Sequence, residues 1–342
     1  MGDIMDNNRK RIRRRRRRPR FSKRFLVLVA AVALGIFTYY ITNIVAVDED
    51  AESRVARYLE HIDISLLRTN FDDNALTYTF YYENIEVDMW RHHISDEEGL
   101  VASIMRSPQP SFLRIHTKVP AIFLTEYNYT TRSVHITVIN PRNAFDRILV
   151  IDPGHGGNDE GATVGNVRES DITLAISLYL YELFENSNSG IKAYMTRFND
   201  SFVNNAHRAD FANTVGDMLL SVHTNAYPYS TTVAGTETLF LDDSSMDRYG
   251  NLGRFHMHNS VFSQIMQGHL VEELGTRDRG LVERPDLLLL NASSIPTAYV
   301  EIDFKTNPQA LANLTNSQYQ QRVAQALYRG IVQAFTQAIS NE

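Results

Sequence analysis

Ile148-Leu-Val-Ile-Asp-Pro-Gly-His-Gly-Gly157 decides how the rest of the chain is read. The apolar run Ile148 to Ile151, ended by Asp-Pro-Gly, predicts a buried strand. Pro153, Gly154, Gly156 and Gly157 predict a tight, open loop, and His155 stands in it without a bulky neighbour. Such small residues let another group approach the imidazole closely. An imidazole just past the carboxyl end of a buried strand is a natural metal ligand or acid–base group. Glu169 follows in Arg168-Glu-Ser-Asp171, immediately ahead of the apolar stripe of a helix.

Outward from this stretch the pattern alternates. A long helix is expected over 171–184, a strand over 191–196 and a helix over 205–214. A strand over 218–223 ends in His223, and another is expected over 235–241. A helix over 255–274, strands over 287–290 and 297–302, and a closing amphipathic helix over 318–339 complete the series. Alternating β and α elements predict an α/β fold, a mostly parallel or mixed twisted sheet flanked by helices on both faces.

Residues 48–146 read differently. Val55, Leu59, Ile62 and Leu66 fall at helical spacing over 51–68. Segments 76–82, 112–116, 121–125 and 133–138 are rich in β-formers, often alternate, and are separated by turn residues, which predicts a small β-rich module over 71–146. His92 and His93 are adjacent, so on a strand they point to opposite faces and do not share a metal. Trp90, the one tryptophan, reads as packing.

Length and composition bound the whole. The 342 residues have room for one large and one smaller domain. There is no cysteine, so disulfides and thiolate ligands are excluded and any metal must use His, Asp or Glu. The formal charge of −6 hides an asymmetry: residues 1–24 carry 12 Lys and Arg against two acids, leaving 22 bases and 38 acids in the rest. That acidic body argues against a nucleic-acid partner. Residues 25–47 are 23 positions without a charge, long enough to cross a bilayer as a helix. The basic run before them and Asp48-Glu-Asp50 after them predict a cytoplasmic tail at 1–24, a single transmembrane anchor at 25–47, and an extracytoplasmic remainder. A cleaved signal peptide with Ile44-Val-Ala46 at its end is the alternative.

The chemistry gathers at strand ends. Strands at 148–151 and 218–222 run into His155 and His223, and the strand at 297–300 runs into Glu301. Ligands in an open α/β sheet collect beyond the carboxyl ends of the strands, so these three are expected to converge, with Glu169 at the same rim. Two His and one Glu with an open position make a catalytic zinc site, and the other carboxylate then serves as general base. Taken singly, Glu169 is also explained as a helix-start acid, His223 as a core histidine, and Glu301 as the partner of an arginine.

The ordered set Ile151-Asp-Pro-Gly-His-Gly-Gly157, Arg168-Glu-Ser-Asp171, Met195-Thr-Arg197, Arg208 with Ala212-Asn213, Ser221-Val-His-Thr-Asn-Ala226, Arg277-Asp-Arg-Gly280 and Val300-Glu-Ile-Asp-Phe-Lys-Thr-Asn307 resembles the zinc-dependent N-acetylmuramoyl-L-alanine amidases of the Amidase_3 family. The resemblance covers Ile148 to about Phe335 and implies a catalytic domain at 147–342. It implies that His155, Glu169 and His223 bind zinc. Glu301 is by the same resemblance the catalytic carboxylate, and peptidoglycan is the substrate, cut between N-acetylmuramic acid and L-alanine. Asn225, Arg277 and Arg279 are expected to contact substrate. Family members usually carry Gly-Phe-Leu-Ser-Asn where this chain has Asp303-Phe-Lys-Thr-Asn307, and Asp303 is expected to raise the Glu301 pKa by like-charge repulsion.

Residues 242–274 are expected to form an insertion over the groove, with His256 and His258 on different faces of a helix. The module at 48–146 is expected to meet a divisome or cell-wall partner. Two rival readings use the same residues: an amidase-like protein that binds peptidoglycan or a partner without turnover, and a zinc peptidase cutting within the stem peptide.

Overall fold

The computed structural model describes residues 67–72, 76–82, 91–108, 111–128, 133–242 and 255–339, all within one compact unit, Asp63–Glu342. The strands before the catalytic stretch are β1 (Leu67–Asp72), β2 (Thr77–Tyr82), β3 (Arg91–Ser95), β4 (Val101–Pro108), β5 (Ser111–Thr117), β6 (Ile122–Asn128) and β7 (Ser133–Ile139). They make a four-stranded sheet in the order β1-β2-β5-β4 and a three-stranded sheet in the order β3-β7-β6. β3 alternates between exposed and half-buried positions, which puts His92 and His93 on opposite faces.

The rest of the described chain is the α/β body. Its strands are β8 (Ile148–Pro153), β9 (Thr163–Val164), β10 (Val167–Arg168), β11 (Lys192–Met195), β12 (Met218–Asn225), β13 (Thr236–Phe240), β14 (Asp278–Glu283) and β15 (Thr297–Phe304). Its helices are α1 (Glu169–Glu185), α2 (Asn205–Val215), α3 (Asn259–Leu274), α4 (Leu288–Ala292), α5 (Pro308–Leu314) and α6 (Ser317–Ile339). Six strands form one mixed sheet in the order β11-β8-β12-β15-β13-β14. β8 is parallel to β11 and β12, β12 is parallel to β15, and β13 runs antiparallel to β15.

Helices cover the sheet because its central strands are apolar on both faces, as fully buried strands require. Leu149, Ile151, Leu220 and Val222 pack with Ile176, Leu180, Phe262, Met266 and Leu327 from α1, α3 and α6. Ile148, Val150 and Leu219 belong to a second apolar cluster with Ala209, Ala212 and Val215 of α2 and with Leu113, Ile115, Val134 and Ile136 of the earlier strands. The β-rich strands thus share one apolar cluster with the α2 face.

Several expectations are corrected here. Among the described residues no helix is long and apolar enough to cross a membrane. That finding overturns the single-pass membrane placement, whose expected anchor at 25–47 lies outside the described residues. Most of the helix expected over 51–68 also lies outside them, and Leu67 and Arg68 open β1 instead. Leu287–Leu290 is not a strand; positions 288–292 are helix α4, since a run of leucines is as helical as it is extended when no period distinguishes the two. Within the expected insertion at 242–274, positions 243–254 lie outside the described residues. The remainder is core: α3 buries Phe262, Met266 and Leu270, and His256 and His258 precede the helix.

One buried ion pair joins β8 to α2. Asp152, fully buried, accepts from Arg208 Nη1 at 2.6 Å, from Thr196 Oγ1 at 2.6 Å and from Ser221 Oγ at 2.7 Å. Burial alone would raise the Asp152 pKa, but the Arg208 guanidinium and the two hydroxyls hold it below the ordinary carboxylate value. Asp152→Ala leaves the Arg208 charge buried without its partner and is expected to cost about 3–5 kcal/mol, read as a lower urea midpoint at pH 7. A carboxylate with a depressed native pKa stabilises fully above its unfolded value of about 3.9, and its contribution fades as pH falls through the native pKa. The gap between wild type and variant is therefore expected to narrow in melts taken below about pH 4.

Candidate metal centre and active site

His155 lies just past β8, His223 sits near the end of β12, and Glu301 lies on β15, three neighbouring strands at the centre of the sheet. His223 and Glu301 are register partners. The short β9–β10 hairpin turns the chain back and delivers Glu169 as the first residue of α1. Sequence elements far apart therefore meet at one rim.

Close approach dictates the glycines. His155 has φ 61, in the left-handed region. A Cβ at Gly154 would lie 2.1 Å from His223 Cε1, and one at Gly161 would lie 2.6 Å from His155 Cδ2 and 2.8 Å from Glu169 Oε2. Two buried arginines hold the strained loop. Arg208 donates to the carbonyls of Pro153 and His155, and Arg197 to those of Pro153 and Gly154. Gly157 N donates to Asp200, which Arg168 also reaches.

The candidate ligand atoms of His155, Glu169 and His223 lie within 4.8 Å of one another. Glu169 Oε1 faces His223 Nδ1 at 3.0 Å and His155 Nε2 at 3.3 Å, and accepts from Thr224 N at 3.1 Å. Its Oε2 accepts from Ala162 N at 3.0 Å. His155 Nδ1 meets Asp159 Oδ1 at 2.9 Å, so Asp159 orients the ring and leaves Nε2 to face Glu169. A ring nitrogen facing a carboxylate oxygen needs a proton or a cation between them. The trio is thus a donor set that fits a divalent metal. Burial would raise the Glu169 pKa, but the two imidazoles hold it well below the usual range. Desolvation lowers the His223 pKa, and the Tyr299 ring stacks on that imidazole at 4.0 Å between centroids.

Glu301 is buried, and its Oε2 has no hydrogen-bond partner among the described residues. Burial, then the Glu169 and Glu237 carboxylates, push its pKa well above the ordinary value, while Lys305 and Arg284 oppose. The expected agent of that rise was Asp303. Instead Asp303 accepts from Gly235 N at 2.7 Å and from Phe304 N at 2.8 Å.

Sequence reasoning missed Lys305 and Glu237. Lys305, with no exposed surface, donates to the Ala162 carbonyl and lies 3.5 Å from Glu169 Oε2. Glu237 sits beside Glu301 across the β13–β15 ladder. It accepts from Asn225 Nδ2 at 2.7 Å and from Arg279 Nε at 3.1 Å. Asn225 and Arg279 thereby come together. Arg277 is exposed and gives that region its carbonyl, which accepts from Thr236 N at 2.9 Å. β13 reads Thr-Glu-Thr-Leu-Phe, and a lone charge among strand-forming residues is the signal that would have found Glu237.

The Amidase_3 family model, described as N-acetylmuramoyl-L-alanine amidase, matches residues 149–333. The chain belongs to this family. YqiI of Bacillus subtilis is 31% identical over 186 residues, 54% of this chain and 83% of that protein. The germination-specific N-acetylmuramoyl-L-alanine amidase of the same organism is 26% identical, over 56% of this chain and 81% of its own length. Against the amidase LytC, 30% identical, the chain spans only 34% of the relative. The N-acetylmuramoyl-L-alanine amidase structure from Clostridium difficile 630 is 28% identical, with a TM-score of 0.50 over 56% of this chain and 97% of that one. β1 to β7 lie before the stretch that the amidase model matches.

Gly154→Ala tests the close packing of this amidase centre. Its new Cβ must displace the His223 ring. The expected cost is about 1–3 kcal/mol of stability in a denaturant melt. Calorimetric titration with Zn2+ should show affinity at least about tenfold weaker, because second-sphere disturbance of ligand orientation costs about that much.

Proposed function

We propose that the chain is a zinc-dependent N-acetylmuramoyl-L-alanine amidase that cleaves peptidoglycan between N-acetylmuramic acid and the L-alanine of the stem peptide. His155, Glu169 and His223 hold the zinc, and Glu301 carries the proton. The observation that supports this most is a two-His, one-carboxylate donor set beside a buried carboxyl with an unpartnered oxygen, in a chain of the amidase family. A zinc ion held by that set supplies Lewis-acid chemistry, polarising an amide carbonyl and easing the ionisation of water.

The chain's own groups do the rest. Glu301 Oε2, free of protein partners, takes the proton of the attacking water and returns it to the departing alanine nitrogen. An amide leaving group needs that second transfer, and a carboxyl whose pKa is raised by burial suits both directions of it. Asp159 fixes the His155 ring through Nδ1. Lys305 and the Ala162 and Thr224 amides orient the Glu169 carboxylate. Asn225 and Arg279, joined by Glu237, line the substrate side, and Arg277 stands at its edge.

Digestion of purified peptidoglycan by the full chain with Zn2+ tests this reading by mass spectrometry. Free stem peptides with an L-alanine amino terminus are expected. Glu301→Gln should slow their release by about 10²–10⁴-fold, the usual contribution of a general acid–base group. Removing the metal with a chelator should stop it, and added zinc should restore it. Shortened stems still attached to muramic acid would make the protein a peptidase. A folded, zinc-loaded chain that releases nothing would make it a binding protein.

A further inference from the structure

Three aromatic side chains stand exposed among the described residues: Phe202 at 53%, Tyr227 at 45% and Tyr229 at 87%. All three lie on the catalytic rim. Phe202 follows β11 and packs against Gly157, two residues past His155. Tyr227 and Tyr229 follow β12, which carries His223 and Asn225. Tyr227 N donates to Thr306 Oγ1 at 3.0 Å, next to the lysine that reaches Glu169. The two tyrosine rings meet edge to face at 5.7 Å between centroids. A single exposed ring is ordinary, but two exposed rings set against each other beside the site form a contiguous aromatic surface.

The loop that carries them, Ala226-Tyr-Pro-Tyr-Ser-Thr-Thr-Val-Ala234, holds no charge. Beside the rings it offers hydroxyls: Ser230 Oγ lies 2.9 Å from Thr232 Oγ1, and Ser230 Oγ accepts from Thr232 N at 3.2 Å. Other parts of the rim are different. Glu237 with Arg279, and Arg168 with Asp171 and Asp200, are ion pairs suited to the ionised groups of a peptide. A neutral face of aromatic rings and hydroxyls matches instead a neutral, hydroxyl-bearing ligand whose C–H faces stack on rings.

We propose that Tyr227 and Tyr229, with Ser230 and Thr232, form a platform for the sugar rings of the glycan strand. The platform grips the polymer beside the scissile amide. It rests on the amidase reading for its choice of polymer, but not for its test. Full-chain Glu301→Gln protein is titrated with peptide-free glycan strands, which hold no amide to cut. Tyr229→Ala and the double variant Tyr227→Ala/Tyr229→Ala in that background are expected to lose about tenfold or more in affinity, whereas Tyr229→Phe retains it. In the active chain, the ratio of kcat/KM on polymeric peptidoglycan to that on a one-sugar muramoyl peptide should fall by about the same factor, through KM. Glycan binding that depends on the tyrosines supports the platform even if no amide is cut, and then only the amidase reading fails. Glycan binding that is absent, or untouched by the alanine variants, overturns the platform. An equal loss on polymeric and one-sugar substrates overturns it as well.

Discussion

The centre depends on one strained residue. His155 is held at φ 61 so that its ring faces Glu169 and lies edge-on to His223, 4.8 Å between ring centroids. A left-handed non-glycine residue costs about 1–3 kcal/mol and persists only when its surroundings enforce it. Here they do so through carbonyls. The loop turns the oxygens of Pro153, Gly154 and His155 inward, where each must find a donor. Arg197 and Arg208 supply them, and Asp152 neutralises Arg208 from the strand below. The fold's buried polar network and the geometry of the site are therefore the same set of bonds.

That arrangement concentrates negative charge. Glu169 at the start of α1, Glu237 near the amino end of the antiparallel β13, and Glu301 on β15 gather at one rim, and each needs a different answer. Glu169 is satisfied by two imidazoles, two amides and a lysine. Glu237 is satisfied by Asn225 and Arg279. Glu301 alone keeps a bare oxygen, and its neighbours' charge works against its ionisation. A cation at the trio relieves the crowding without removing the freedom of Glu301, which is the division of labour that a hydrolytic centre needs.

The sequence made this centre legible where strand ends coincide with ligand-type residues. His155, His223 and Glu301 terminate apolar runs, and an open α/β sheet brings such ends together. The α/β sheet itself was legible for the same reason, since β8, β12 and β15 each open on a largely apolar stretch. Less was legible where periodicity fails. β14 reads Asp-Arg-Gly-Leu-Val-Glu, a polar edge strand that carries no alternation, and it went unseen. Leu287–Leu290 carries no period of its own and was read as extended. The bond that each of Asn225 and Arg279 makes to Glu237 was not legible, because only the fold brings that carboxylate between them.

The stretch after Glu301 shows why charge in a sequence cannot be assigned an effect before its direction is known. Asp303 and Lys305 stand where related chains usually carry glycine and leucine, and both are buried. Asp303 was expected to act on Glu301 and raise its pKa. Its Oδ1 instead accepts from two backbone N–H groups, those of Gly235 and Phe304, and so seats β15 against the start of β13. Lys305 is the member of the pair that reaches the site. It bonds the Ala162 carbonyl, lies against Glu169, and pulls the Glu301 pKa down rather than up. Lys305 therefore acts on Glu301 with the opposite sign to that expected of Asp303. It places a fixed cation in a pocket of carboxylates, and it ties the His155 loop to the strand that bears the catalytic carboxyl.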